Sequence, residues 1–190
     1  MDKNILNNDN LLYTSLIEFY NEDKNIEKLY EILNSTKISL RIIDWFVTNF
    51  SKKFNTHYSL YVTPNNKITM NSINNKLFKQ ITVHHSYKSQ LKSYQKKNFD
   101  PFCRRSRILF QCKNYEISTT IGQLNFFKWA IENLLLDYIK NNHSEIEEDM
   151  NLSINRKKKL KDSLKKRQEL SKSASRGLNK NNMKVIISFD

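Results

Sequence analysis

The chain has 190 residues, enough for one domain with a real core plus an appendage. Aromatic residues make up 12% of it, which excludes a wholly disordered chain, and two glycines and two prolines exclude long flexible linkers and glycine-built phosphate cradles. The formal net charge is +13, and no stretch approaches the ~18 consecutive apolar residues of a membrane span.

In chain order, helices are expected over 11–20 and 25–34. Leu12, Leu16, Phe19 and Tyr20 share one face of the first, and Ile26, Leu29, Tyr30 and Leu33 one face of the second. Ser35 and Thr36 offer an N-cap to a third helix over 37–54, with a buried stripe of Ile38, Ile42, Trp45, Phe46 and Phe50, and Phe54 one turn on. Tyr58, Leu60 and Val62 alternate, Pro64-Asn65-Asn66 makes a turn, and Ile68 and Met70 alternate again. This is a hairpin pattern, followed by a polar loop over 71–76 and a third strand over 80–85. Residues 86–98 read as a basic amphipathic helix, with Tyr87, Leu91 and Tyr94 inward and Lys88, Lys92 and Lys96 on a different face, Lys97 beside them. Asp100-Pro101 ends it, because a residue before proline avoids the helical region. Residues 107–111 and 115–118 form a second hairpin around Lys113-Asn114.

Thr120-Ile121-Gly122-Gln123 matches a capping box and opens a helix running to about residue 140, with Leu124, Phe127, Ile131, Leu134, Leu135 and Tyr138 as its apolar stripe. Ser144-Glu145-Ile146-Glu147 is a second capping box. Acid at its start (Glu145, Glu147, Glu148, Asp149) and base from Arg156 onward both oppose the helix dipole, so one long solvated helix is expected to about residue 171. Residues 171–182 are weakly specified, and 183–189 read as a closing strand. The expected class is α+β: a small, mostly antiparallel sheet packed with helices, a long basic C-terminal helix and a short final strand. The expected organisation is an N-terminal helical segment (1–36), an α+β core (37–143) and a basic helical extension with the closing strand (144–190), together making one domain.

The charge is segregated. Residues 1–78 carry nine basic and eight acidic side chains, 79–113 nine and one, 114–150 two and seven, and 151–190 twelve and three. Asn and Lys each occur 25 times, a compositional bias that by itself yields solvated lysine, but uniform enrichment would spread more evenly. The strongest constellation is Phe99-Asp100-Pro101-Phe102-Cys103-Arg104-Arg105-Ser106-Arg107, where Arg104, Arg105 and Arg107 lie in a turn between aromatics and a strand. Guanidinium forks match phosphate oxygens and stack on bases. With Lys88, Lys92, Lys96 and Lys97 just upstream they can form one positive patch. The competing reading is an internal salt-bridge cluster between Asp100 and the arginines. The second basic run is Arg156, Lys157, Lys158, Lys159, Lys161, Lys165, Lys166 and Arg167, which can neutralise phosphates without reading sequence or dock on an acidic protein.

Other chemistry is poorly supported. His84, His85, Cys103 and Cys112 are the one cluster of soft ligands. The cysteines are nine apart, and adjacent histidines on a strand would point to opposite faces, so no metal is expected. Arg104 and Arg105 beside Cys103 favour a thiolate with His84 or His85 as base, yet no local nucleophile signature accompanies it. The polar start Met1-Asp2-Lys3-Asn4 lacks a secretory apolar run, so free thiols in a reducing compartment are expected. No cofactor and no catalytic residue are expected.

Residues Ile38-Ser39-Leu40-Arg41-Ile42-Ile43-Asp44-Trp45-Phe46-Val47-Thr48-Asn49, Phe99-Asp100-Pro101-Phe102-Cys103-Arg104-Arg105 and Thr119-Thr120-Ile121-Gly122-Gln123-Leu124-Asn125-Phe126-Phe127-Lys128-Trp129-Ala130-Ile131 carry a resemblance, as do Leu170-Ser171-Lys172-Ser173-Ala174-Ser175 and residues 184–190. Over about residues 37–190 the chain resembles an uncharacterised protein family of nucleocytoplasmic large DNA viruses, the mimivirus-like giant viruses. The resemblance implies a viral setting, in the host cytoplasm (the viral factory) or the virion, and supplies no activity. The expectation is therefore a non-enzymatic nucleic-acid-binding protein, for DNA or RNA, in genome packaging or transcription. The alternative is a virion structural or assembly protein whose basic helix docks on an acidic viral protein. No membrane partner is expected.

Overall fold

A computed structural model describes residues 3–35, 38–158 and 160. The chain divides into two units, Met1–Met150 and Asn151–Asp190. In the first, two helices come first, α1 (Lys3–Tyr20) and α2 (Asp23–Leu33). The first is longer than its apolar pattern, which starts at Leu11 because the residues before it are nearly all polar. Leu16, Tyr20, Ile26 and Leu29 are fully buried, as expected, but Tyr30 is 46% exposed and lies against Tyr115 at 5.1 Å.

The third helical stretch is three pieces: α3 (Leu40–Trp45), a π-helical turn (Phe46–Phe50) and α4 (Ser51–Lys53). Its N-cap is Ser39, whose hydroxyl accepts from the Ile42 amide, rather than Ser35 or Thr36. The wider π turn displaces the ordinary hydrogen-bond ladder, and the Val47 carbonyl accepts from the Ser51 hydroxyl at 3.0 Å with His84 Nδ1 at 3.3 Å. Phe46, Val47 and Phe50 are all buried, whereas Phe54, expected in the stripe, is 54% exposed. Trp45 is half-buried and donates its indole N–H to Asp149.

A three-stranded antiparallel sheet follows, β1 (His57–Val62), β2 (Ile68–Thr69) and β3 (Lys76–Thr82), in the order β2-β1-β3. The third strand starts four residues earlier than expected. It also ends before His84 and His85, which lie in the first turn of α5 (Val83–Asn98), so the strand argument about their faces does not apply. α5 carries its basic residues outward and buries Val83 and Tyr87, whereas Leu91 is half-buried and Tyr94, expected inward, is 37% exposed. Near its end Gln95 leaves the helical region, with φ 59° and ψ 167°. That backbone region is close to glycine-only and strained for a side chain with a Cβ. A second antiparallel pair, β4 (Ile108–Cys112) and β5 (Tyr115–Thr119), is the expected hairpin, so the fold has two small sheets rather than one.

The core is built around α6 (Ile121–Glu132). A single apolar stripe was expected there, but the helix is buried nearly all round: Leu124, Phe126, Phe127, Trp129, Ala130 and Ile131 lie at 6% exposure or less, with Gln123 and Asn125 also buried. Fully burying one such large apolar side chain contributes about 1.5–3 kcal/mol. Tyr20 donates its hydroxyl to the Leu124 carbonyl at 2.7 Å, tying α1 to α6. Trp129 donates its indole N–H to the Ser86 hydroxyl at 3.1 Å, tying α5 to α6. The capping box is half realised. Thr120 accepts from the Gln123 amide, but the Gln123 side chain turns away to accept from the Thr119 hydroxyl and donate to the Pro101 carbonyl.

The expected single helix to residue 140 is broken. Leu134 takes a left-handed conformation (φ 50°, ψ 30°) and α7 (Leu135–Asn141) starts anew. Asn133 fixes the break: it donates its side-chain amide to the Trp129 carbonyl, accepts Lys79 Nζ at 2.7 Å, and its carbonyl accepts the Tyr58 hydroxyl at 2.8 Å. Burial pushes the Tyr58 phenol well above its ordinary pKa, so it stays a donor. Residues 143–150 are helical and not wholly solvated as expected, since Ile146, Asp149 and Met150 are buried. The buried Asp149 carboxylate accepts from Trp45 and pairs with Lys53, which is what its place among the acids at 145–149 serves. In the second unit residues 151–158 are helical, with Leu152 and Leu160 exposed. The expected continuation to 171 and the closing strand at 183–189 lie outside the described residues.

Two stability outcomes follow. A Cβ on Gly122 would meet the Lys97 carbonyl oxygen at 2.9 Å and the Phe99 amide nitrogen at 3.3 Å. Gly122→Ala is therefore expected to lower the unfolding free energy by about 1–3 kcal/mol in urea titration, although in a free helix the same change gains about 1 kcal/mol. Gln95→Gly is expected to raise it by about 1 kcal/mol by releasing backbone strain, and a lower melting temperature would contradict that assignment.

Candidate nucleic-acid interface

The basic face of α5 is set by what anchors the opposite face. Tyr87 packs on Trp129 at 6.3 Å and on Phe99 at 6.0 Å, and Tyr94 stacks on Phe99 at 6.4 Å. That leaves Lys88, Lys92, Lys96 and Lys97 exposed, as expected from their spacing.

The arginine turn divides. Asp100, 6% exposed, receives Arg104 in a two-pronged pair, Nε to Oδ2 and Nη2 to Oδ1, each at 2.9 Å, and also accepts the Phe102 amide at 3.1 Å. The Arg104 guanidinium lies 4.6 Å from the Phe102 ring centroid. The hydrogen bond to Asp100 holds the Arg104 pKa above its ordinary value. For Arg104 the salt-bridge reading is thus realised, with one face still in water. Arg105 and Arg107 are exposed and form no ion pair among the described residues. Arg107 lines a cleft of about 430 Å³ with Tyr30, Asn34, Cys103, Glu116 and Ser118.

Asp44 on α3 lies within the electrostatic reach of both the turn and α5. Burial pushes the Asp44 carboxyl up, Arg104 and Lys96 pull it down, and Asp100 pushes it up again. Lys96 and Arg104 therefore share one neighbourhood, and two carboxylates temper it.

The larger signal extends beyond the residues singled out from the sequence. From Trp45 to Phe99 there is no aspartate and no glutamate, while nine lysines fall in the run: 52, 53, 67, 76, 79, 88, 92, 96 and 97. All nine are exposed. The run folds as the π turn, α4, the three-stranded sheet and α5, and α5 contacts the π turn, α4 and β3. Lys53 is committed to Asp149 and Lys79 to Asn133. Reading charge in blocks divided after residue 78 hid this run, although the gap between Asp44 and Asp100 is plain in the sequence.

In the second unit, Arg156, Lys157 and Lys158 are helical and exposed. Lys159, Lys161, Lys165, Lys166 and Arg167 lie outside the described residues. Both cysteines are free: Cys112 is buried, donates to the Tyr20 carbonyl and has its thiol pKa pushed up chiefly by burial, while Cys103 is half-buried. Among the described residues no group of three or more His, Cys, Asp and Glu side chains could hold a metal ion, and no helix is long and apolar enough to cross a membrane.

A family of unknown function, DUF7197, matches residues 2–190. The chain is 37% identical over 164 residues to Uncharacterized protein L507 of Acanthamoeba polyphaga mimivirus, an alignment covering 82% of this chain and 58% of the relative. The chain thus spans a little over half the length of that relative. No solved structure matches it. The chain therefore belongs to the DUF7197 family of unknown function, and its mimivirus relative makes this the giant-virus family that its sequence resembles.

Proposed function

We propose that the chain is a non-enzymatic nucleic-acid-binding protein of a large DNA virus, serving genome packaging or transcription in the viral factory or the virion. One observation carries the reading: nine exposed lysines in a stretch, residues 45–99, whose sequence holds no carboxylate, with Lys53 among them paired to Asp149 and with α5 in contact with the π turn, α4 and β3. Phosphate chains attract such a surface because each neutralised phosphate releases a counterion, a gain that needs no base-specific contact. Arg105 and Arg107, exposed beyond the C-terminal end of α5, extend the supply of donors, and their planar forks suit phosphate oxygens. Arg104 contributes by holding the turn in shape through Asp100.

The salt dependence of affinity tests this. With six to ten phosphate contacts, the affinity for mixed-sequence DNA measured by fluorescence anisotropy falls about 10³–10⁵-fold between ~50 and ~200 mM salt. The double change Lys88→Glu and Lys92→Glu weakens binding on every sequence and lowers the salt slope by about 2. An affinity indifferent to salt, or to those two changes, overturns the proposal.

A further inference from the structure

We propose that the three-stranded sheet is a seat for single-stranded nucleic acid, with Phe78 as a base-stacking residue. The proposal deepens the nucleic-acid reading and rests on it. The geometry begins with an irregularity. Leu60 pairs with Lys79 and Tyr61 with Leu77, so the register shifts by one and Phe78 has no partner in β1. In a regular strand two consecutive side chains point to opposite faces, and in a packed sheet one of them is covered. Here Leu77 and Phe78 are 52% and 57% exposed, and Ile73, just before the strand, is 71% exposed. The strand itself is paired with β1 along its length and runs directly into α5, so these side chains are held in water by ordered backbone. Phe78 makes no ring contact among the described residues, while most of the other phenylalanines do. Nothing among the described residues accounts for its position.

The surroundings indicate what would cover it. Lys76 lies in the same strand and Lys67 before β2, both exposed, and the nearest acidic residues in sequence are Asp44 and Asp100. An apolar patch on a strand that carries lysines and no carboxylate of its own suits a polyanion that also presents flat apolar faces. Unpaired bases do so, whereas a duplex keeps its base faces inside the stack. β3 is an edge strand, and a protein partner could in principle add a strand to it. The register shift and Lys76 oppose that, since bulges and edge lysines are the features that prevent edge-to-edge pairing. Stacking on Phe78 with phosphates on the lysines needs no backbone pairing.

The experiment uses the full chain, a labelled oligothymidylate and a duplex of equal length, titrated at one salt concentration. Phe78→Ala is expected to weaken single-strand binding roughly tenfold, the loss of one stacked base, and to change duplex binding less than about twofold. Phe78→Trp restores the single-strand affinity. Circular dichroism checks that Phe78→Ala folds, and Phe78→Trp keeps the test decisive if it does not, since an affinity unchanged or raised by the larger ring supports the proposal and a loss counts against it. Equal losses on both polymers, or no loss on the single strand, overturn this proposal while leaving the general nucleic-acid reading intact. A wild-type chain that binds neither polymer overturns both. A concentration-dependent dimer that Phe78→Ala abolishes assigns the patch to self-association and overturns this proposal alone.

Discussion

The first turn of α6 comes so close to the backbone at 97–101 that only a residue without a Cβ fits at 122. Around that contact the Asp100 amide donates to the Gly122 carbonyl, Gln123 donates to the Pro101 carbonyl, and Asn125 donates to the Asn98 carbonyl. Four successive elements take their positions from it: the end of α5, the aromatic anchor Phe99, the buried Asp100 and the turn that bears the arginines. Phe99 can lie against Phe126 and Trp129 only because the backbone that carries it is held against α6. The basic surface is in this sense a product of the most buried helix in the fold.

Two polar side chains play the corresponding role elsewhere. Asn133 serves Trp129, Lys79 and, through its carbonyl, Tyr58, which attaches the three-stranded sheet to the point where α6 ends. Asp149 draws Trp45 and Lys53 together and so ties the end of α3 before the π turn to the end of α4 after it. A buried group of this kind is costly when unpaired, and each is well supplied with partners. Both join elements far apart in the chain, so they set how the lysine-bearing elements sit against the core.

These same contacts explain what was legible in the sequence and what was not. Helix and strand positions followed apolar spacing wherever packing acts on one face, as in α2, α5 and the β4–β5 hairpin. The π turn left no trace, because adding one residue to a turn hardly alters the apolar spacing in Phe46-Val47-Thr48-Asn49-Phe50. The break at Leu134 carries no glycine or proline; it is held by Tyr58 and Lys79, more than fifty residues upstream, so local pattern could not reveal it. The all-round burial of α6 was written in its nearly unbroken apolar run, but a search for one stripe discards that information. At the candidate site, the spacing of the α5 lysines translated directly into an exposed face. The fate of Arg104 turned on whether Asp100 would be buried, which depends on α6 and not on the residues beside it.

The stretch without carboxylates has a bearing on acidity. Most basic surfaces lose or gain attraction as neighbouring aspartates and glutamates take up protons, so their potential follows the medium. Between Asp44 and Asp100 the sequence holds no acidic side chain to take one up. The positive charges of this stretch are therefore fixed by covalent structure, and any response of its potential to acidity comes from the carboxylates that other parts of the fold set beside it, Asp149 at Lys53, Glu132 near Lys79 and Asp44 near Lys96.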